Sequence, residues 1–237
     1  MDRAALMRVV DATWPAVQTE TLGPWHVRLS PGGGKRVNAT RATGPVGQAD
    51  IVDAEAYQRA CGQTHLFQVE VDTELDTVLA QNGYLAVDET LIYCAESAPL
   101  AAQALPSVTA FPIWPPLQIM RDIWAAGGIG ADRVAVMERA ACAKVSILGR
   151  TEGRAAGAAF VGVHEGCVMV HALEILTPHR RKGLARHLMI AAARWGAEQG
   201  AEHMAVLVTA KNEAARALYQ SLGMVAEPGY HYRVKAD

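Results

Sequence analysis

Met204-Ala205-Val206-Leu207-Val208 is an unbroken apolar run, with Gly200 before it and Asn212 after it. A segment this short with no polar face is expected to be a strand covered on both sides. The flanks supply helices to cover it. Upstream, a helix from Gly183 to about Gln199 carries Leu184, Leu188, Ala192 and Trp195 on one face, with Arg186, Arg194 and Glu198 elsewhere. Gly200 then stands at the C′ position that favours glycine. Downstream, Asn212 to Leu222 reads as a helix closed by Gly223, and Met224 to Val234 as a strand or hairpin. Ahead of all these, strands are expected at about 144–149, 155–164 and 167–176. Two short helices, near 118–126 and 132–141, are parted by Gly127-Gly128-Ile129-Gly130, with Asp132 as the N-cap of the second. The order β-β-β-α-β-α-β specifies an α/β layer rather than a bundle or a sandwich.

Ser97 to Gln118 contains Pro99, Pro106, Pro112, Pro115 and Pro116. Proline removes backbone donors and pushes the preceding residue out of helix, so a linker or extended crossover is expected, with a domain boundary near residue 105. The two domains are then 1–105 and 106–237. Before that boundary the pattern predicts helices at 3–13, 52–61 and 74–81. Strands are predicted at Trp25 to Leu29, around Val37, from His65 to Val71, and from Leu85 to Tyr93, the last stretch holding one or two. Ser30-Pro31-Gly32-Gly33-Gly34 reads as a turn. Lys35 is followed by Arg36, so the glycines do not form a Walker loop and read as a hairpin tip. A weak internal repeat lays Val78 to Ala86 over Leu218 to Ala226, with Gly83 on Gly223 and Ala86 on Ala226.

The charge balance limits the partners. The formal net charge is −2, with 51% hydrophobic and 19% charged residues, so no basic face for nucleic acid or an anionic membrane is implied. The amino terminus lacks the apolar core of a secretory signal, and no apolar window is long enough for a membrane span. Cys61, Cys94, Cys142 and Cys167 are isolated, without zinc-finger spacing, which points to reduced, mostly buried thiols of a cytoplasmic protein and to no metal site.

Arg180-Arg181-Lys182-Gly183-Leu184-Ala185 joins an apolar strand to the amphipathic helix. Small residues at 183 and 185 let the backbone approach a ligand, and the first amides of a helix lack intrahelical partners at its positive end. That is the geometry of a pyrophosphate cradle, with Arg180, Arg181, Lys182 and Arg186 as cations around it. A plain basic strand-to-helix turn is the alternative.

The surrounding order resembles the GCN5-related N-acetyltransferase (GNAT) superfamily over about residues 118–237. Its signature Q/R-x-x-G-x-G/A is met by Arg180, Gly183 and Ala185, followed by Asn212, the pair Leu218-Tyr219 and the pair Leu222-Gly223. The resemblance implies the GNAT fold, a mixed central sheet flanked by helices. Residues 1–105 contain no such loop and have Leu79 where Tyr219 stands. They are either a degenerate GNAT-like half, giving a tandem protein, or an accessory domain. Acetyl-CoA is the implied co-substrate and a small-molecule or peptide amine the implied acceptor, in a monomer or homodimer.

Carried over position by position, Leu173, Glu174 and Ile175 would offer backbone groups to the pantetheine amides. The amides of Arg181, Lys182, Gly183, Leu184, Ala185 and Arg186 would hold the pyrophosphate, and Asn212 would meet the pantetheine arm or cap its helix. Tyr219 would protonate the departing thiolate. The base is open between two residues. His171 resembles a histidine of the arylalkylamine N-acetyltransferases. Glu174 is the other, placed by alternation on the opposite strand face from His171. The apolar strand at 204–208 carries no acidic residue, so a non-catalytic acetyl-CoA-binding module is the rival reading. Phe111, Ile113, Trp114 and Trp124 are expected at the packing between the two halves.

Overall fold

The computed structural model describes residues 1–235. In chain order the elements are α1 (Arg3–Thr13), β1 (Gln18–Leu22), β2 (Trp25–Leu29), β3 (Thr40–Ala42), α2 (Gln48–Ala60), β4 (His65–Val69) and α3 (Glu74–Gln81). Next come β5 (Leu85–Glu96), α4 (Ser97–Ala101), β6 (Ala110–Ile113), α5 (Gln118–Ala126), α6 (Ala131–Arg139), β7 (Ala143–Thr151), β8 (Arg154–His164) and β9 (Cys167–Ile175). The chain ends with α7 (Leu184–Glu198), β10 (His203–Thr209), α8 (Glu213–Ser221) and β11 (Val225–Lys235). None of these helices is long and apolar enough to cross a membrane.

The chain forms two compact units that interleave along the sequence instead of parting at one point near residue 105. One comprises Met1–Pro15, Ile92–Val208 and Glu213–Ala226; the other comprises Ala16–Leu91, Thr209–Asn212 and the segment from Glu227 onward.

In the first unit the strand order is β5-β10-β9-β8-β7-β6, with Ile92–Glu96 of β5 beside β10. β10 and β9 are parallel, and the β9-β8-β7-β6 ladder is antiparallel. Glycines on β8 show what covers each face. A Cβ at Gly162 would lie 2.8 Å from Thr13 of α1, and one at Gly157 would lie 3.3 Å from Leu184 of α7. These positions have opposite parity, so α1 and α7 sit on opposite faces. The proline-rich stretch expected as a linker contains α4 and β6. Pro112 is tolerated there because β6 is an edge strand, paired on one side with β7. Gly130, not Asp132, stands at the N-cap of α6, and Asp132 falls in its first turn. Trp124 is buried within this unit and Trp114 stacks at 5.9 Å on Phe160, so neither is reserved for packing between halves.

In the second unit the order is β1-β2-β3-β4-β11-β5. β3 runs parallel to β4, while β1, β2 and β11 pair antiparallel with their neighbours. Trp25, Val27, Ile51, Phe67, Leu79 and Tyr84 make its core. No strand forms around Val37. Asn38 bonds the carbonyls of Gly32 and Gly34 at 3.0 and 3.2 Å and accepts from the Ser30 amide at 2.8 Å, which holds Lys35–Val37 in a 3₁₀ turn.

Each unit is therefore completed by a strand from the other half of the sequence. β11 closes on β4, and the end of β5 lies beside β10. The faint repeat has this physical content: β4-α3-β5 and β10-α8-β11 follow the same order, and Gly83 and Gly223 end their helices at φ 85° and 79°.

A buried cluster locks β11 in place. Asp76 on α3 accepts from His231 Nε2 at 2.5 Å and from Arg233 Nε at 2.7 Å. Burial works against the Asp76 charge, but the hydrogen bonds and charges of Arg233 and His231 outweigh it and hold the carboxyl below its ordinary value. A carboxyl depressed in the folded state stabilises above its unfolded pKa of about 3.9 and loses that contribution as pH falls through the folded value. Denaturant titrations from pH 6 to 3 are expected to show this acid-side loss. Asp76→Asn should lower stability at pH 6 and flatten the slope.

Candidate active site

The site begins with an irregularity in β9. His171 lies opposite Phe160 and Glu174 opposite Ala158, so Ala172 and Leu173 together face a single residue of β8. This is a β-bulge, and Ala172 takes φ 49° in it. The extra residue reverses the alternation beyond it. Glu174 consequently shares a face with His171, contrary to the expectation from strand periodicity. The Ala172 carbonyl accepts from Trp124 Nε1 at 2.8 Å. On the other edge, the register with β10 runs from Cys167↔His203 to Val170↔Val206 and stops where the bulge begins. Leu173, Glu174 and Ile175 thus lie on a stretch of strand beyond that parallel pairing.

Below this opening, Thr177–His179 form a 3₁₀ turn, Arg181 takes φ 63° and Gly183 φ 79°, and α7 starts at Leu184. No side chain caps this helix, so the first-turn amides of Leu184, Ala185 and Arg186 have no capping acceptor. Leu184 is buried against the glycine side of β7 and β8, near Gly149 and Gly157, and fixes where the helix begins.

The cations are less available than the sequence suggests. Arg180 donates to the Ile175 carbonyl at 2.9 Å and pairs with Glu174 at 3.0 Å. Lys182 pairs with Glu152, on the β7–β8 turn, at 2.8 Å. The Arg186 guanidinium turns to Gln103 at 2.7 Å and the Ser221 carbonyl at 3.3 Å, so it does not surround the loop as expected. Its place three residues past Gly183 points the side chain along the helix, whereas its amide stays in the first turn. Arg181 is exposed.

His171 is 3% exposed, its ring 4.9 Å from that of Trp14 and 6.1 Å from that of Phe160. Its Nε2 lies 2.8 Å from Thr13 Oγ1, and that hydroxyl donates to the Val9 carbonyl at 2.7 Å. Thr13 has one hydroxyl proton and spends it on Val9, so His171 Nε2 is the donor in their contact, which fixes the tautomer. Glu174, on the same face, is half-buried.

Tyr219 lies on α8 at 4% exposure, its ring 5.5 Å from that of Tyr93. Among the described residues its hydroxyl makes no hydrogen bond. Burial pushes the phenol well above its ordinary pKa, so it keeps its proton at neutral pH. Asn212 immediately precedes α8, its amide donating to the Thr209 carbonyl at 2.9 Å. Thr13, Trp14, Tyr93, Trp124 and Gly127 were not singled out for the site from sequence; only contacts across long chain separations bring them there. Among the described residues there is no group of three or more His, Cys, Asp or Glu side chains that could hold a metal ion.

Residues 118–224 match the Acetyltransferase (GNAT) family. A Bacillus subtilis protein described as the uncharacterized N-acetyltransferase YobR is 24% identical, with 99% of each chain covered. Among solved structures, a GCN5-related N-acetyltransferase from Kribbella flavida superposes with a TM-score of 0.74 at 17% identity, covering 99% of this chain and 94% of that one. A tandem GNAT protein from the clavulanic acid biosynthesis pathway superposes at 0.59 with 15% identity, covering 93% and 83%. The mixed sheet with its flanking helices is accordingly the fold of these proteins.

Proposed function

We propose, from a chain whose residues 118–224 belong to the GNAT superfamily, that it moves the acetyl group of acetyl-CoA directly to a primary amine within a ternary complex. One observation carries this reading: the β9–β10 register ends at a bulge, next to the uncapped start of α7. An extended pantetheine arm can add to the unpaired strand edge as a further strand would. The pyrophosphate then meets the amides from Arg181 to Arg186 at the positive end of the helix. Binding asks Lys182 to exchange Glu152 for phosphate, a trade between two anions. Asn212 is assigned to the pantetheine arm.

In the reaction the amine lone pair attacks the thioester carbonyl carbon, and strand amides stabilise the developing oxyanion. The C–S bond breaks as the C–N bond becomes an amide. The ammonium proton leaves through water to Glu174, and the sulfur takes a proton from Tyr219. Glu174 is preferred as the base because it is half-buried at the opening, whereas His171 is sealed behind Trp14 and Phe160 with Nε2 already donating to Thr13. His171 then serves to hold the bulge face in shape.

The amino-terminal half is read as a degenerate copy of the same fold. α2 joins the parallel strands β3 and β4, as α7 joins β9 and β10. At the start of α2, however, Asp50 accepts from the Gly47 amide at 2.8 Å, and its carboxylate takes the place an anion would need. No second coenzyme site is assigned there. The protein is read as acting in the cytoplasm, where its four cysteines, all free, stay reduced.

The test is thiol release from acetyl-CoA with a broad panel of primary amines. Steady, amine-dependent release supports the transferase. Saturable acetyl-CoA binding with no release for any amine would make the protein a coenzyme-binding module instead.

A further inference from the structure

Four glycine-rich positions follow α5, and they do different things. Gly128 takes φ 77°, its amide donates to Ala125 at 3.0 Å, and the Ile129 amide donates to Trp124 at 2.8 Å. These are the two bonds of a Schellman ending, which requires glycine at 128. Gly127 stands one residue earlier with φ −88° and ψ 8°, a conformation open to any residue. Capping therefore does not explain why it is glycine. Space does. A Cβ at 127 would lie 2.4 Å from Glu174 Cδ, 2.5 Å from Oε2 and 2.6 Å from Cγ. The Glu174 carboxylate rests directly on the bare α-carbon of Gly127.

The same helix end holds the bulge at a second point, through Trp124 Nε1 and the Ala172 carbonyl at 2.8 Å. Arg180 grips the remaining carboxylate oxygen, Oε1, at 3.0 Å. We infer that Gly127 is a positioning residue for the proposed reaction: its missing side chain seats the Glu174 carboxylate beside the bulge, where it takes the proton from the amine. This rests on Glu174 being the base. It adds that the α5 terminus, rather than β9 alone, sets where that base stands. A methyl group at 127 meets the mobile end of one side chain, so the carboxylate is displaced while the helix ending, set by Gly128, is kept.

The test uses the full chain, acetyl-CoA and whichever primary amine of the panel the wild type acetylates fastest. Gly127→Ala is expected to remain folded, to bind acetyl-CoA within about twofold of wild type, and to lose about tenfold in kcat, the lower end for disturbed acid–base assistance. Its pH–rate profile should lose the same limb as Glu174→Gln, and the double variant should be no slower than Glu174→Gln alone. Wild-type kcat in Gly127→Ala, or losses that multiply in the double variant, would overturn the positioning role while leaving Glu174 as base. Wild-type kcat in Glu174→Gln, or no turnover with any amine, overturns the role of Glu174 and this inference with it. If Gly127→Ala does not fold, Gly127→Ser with Glu174→Asp, which shortens the carboxylate arm by one methylene, replaces it. Recovery of the limb relative to Gly127→Ser alone is then expected, and its absence counts against the seat.

Discussion

Tyr219→Phe is expected to lower kcat by about 10²-fold or more while leaving acetyl-CoA affinity within about twofold of wild type. The substitution keeps the ring against Tyr93 and removes only a hydroxyl that bonds no described residue, so packing and stability should barely change. The same burial that keeps the phenol protonated makes it a reluctant acid. It is expected to stabilise the leaving sulfur by donating a hydrogen bond as charge develops, and to complete proton transfer as the C–S bond breaks. The loss should then shrink with an acetyl thioester whose thiol is more acidic, since that sulfur needs less help. Wild-type turnover in Tyr219→Phe, with chemistry limiting, would reduce Tyr219 to a core contact and leave water as the acid.

The second large effect is at the helix start. Gly183→Val is expected to weaken acetyl-CoA binding by at least about 100-fold, roughly 2.8 kcal/mol, measured by calorimetry. Two causes should separate. A Cβ at 183 would meet only His187, at 3.9 Å, so no clash within the protein is involved. The left-handed φ of 79° makes any side chain there cost about 1–2 kcal/mol of stability. The rest of the loss comes from bulk where phosphate oxygens must approach the backbone. Gly183→Ala should show the stability cost with a smaller loss of affinity. Affinity within twofold of wild type in Gly183→Val would remove the pyrophosphate from this loop.

What the sequence disclosed and what it withheld divide by range. Met204 to Val208 declared a covered strand because five apolar residues in a row allow little else, and β10 is there. The helix after Gly183 was legible for a similar reason: one face apolar, one glycine at each end. The face of Glu174 was misread, because a bulge adds a residue without changing composition. Only the partner strand and the Trp124 side chain record it. The proline-rich stretch was read as a linker because proline opposes helices and central strands, yet an edge strand accommodates Pro112. Val37 failed as a strand because a single side chain, Asn38, satisfies the loop locally. Gly127 looked like part of a flexible spacer, and its reason lies on β9.

The strand exchange also sets an order of assembly during synthesis. β4 leaves the ribosome with Leu66, Phe67 and Val69, all buried in the finished unit, before the strand that borders it exists. That neighbour, β11, is made after every other strand, so β4 keeps an open edge through most of translation. A nascent chain halted after α8 has already received β5 for the coenzyme-side unit, yet its other unit is still waiting for β11. Growth from one end therefore completes the reaction machinery first and closes the degenerate copy last.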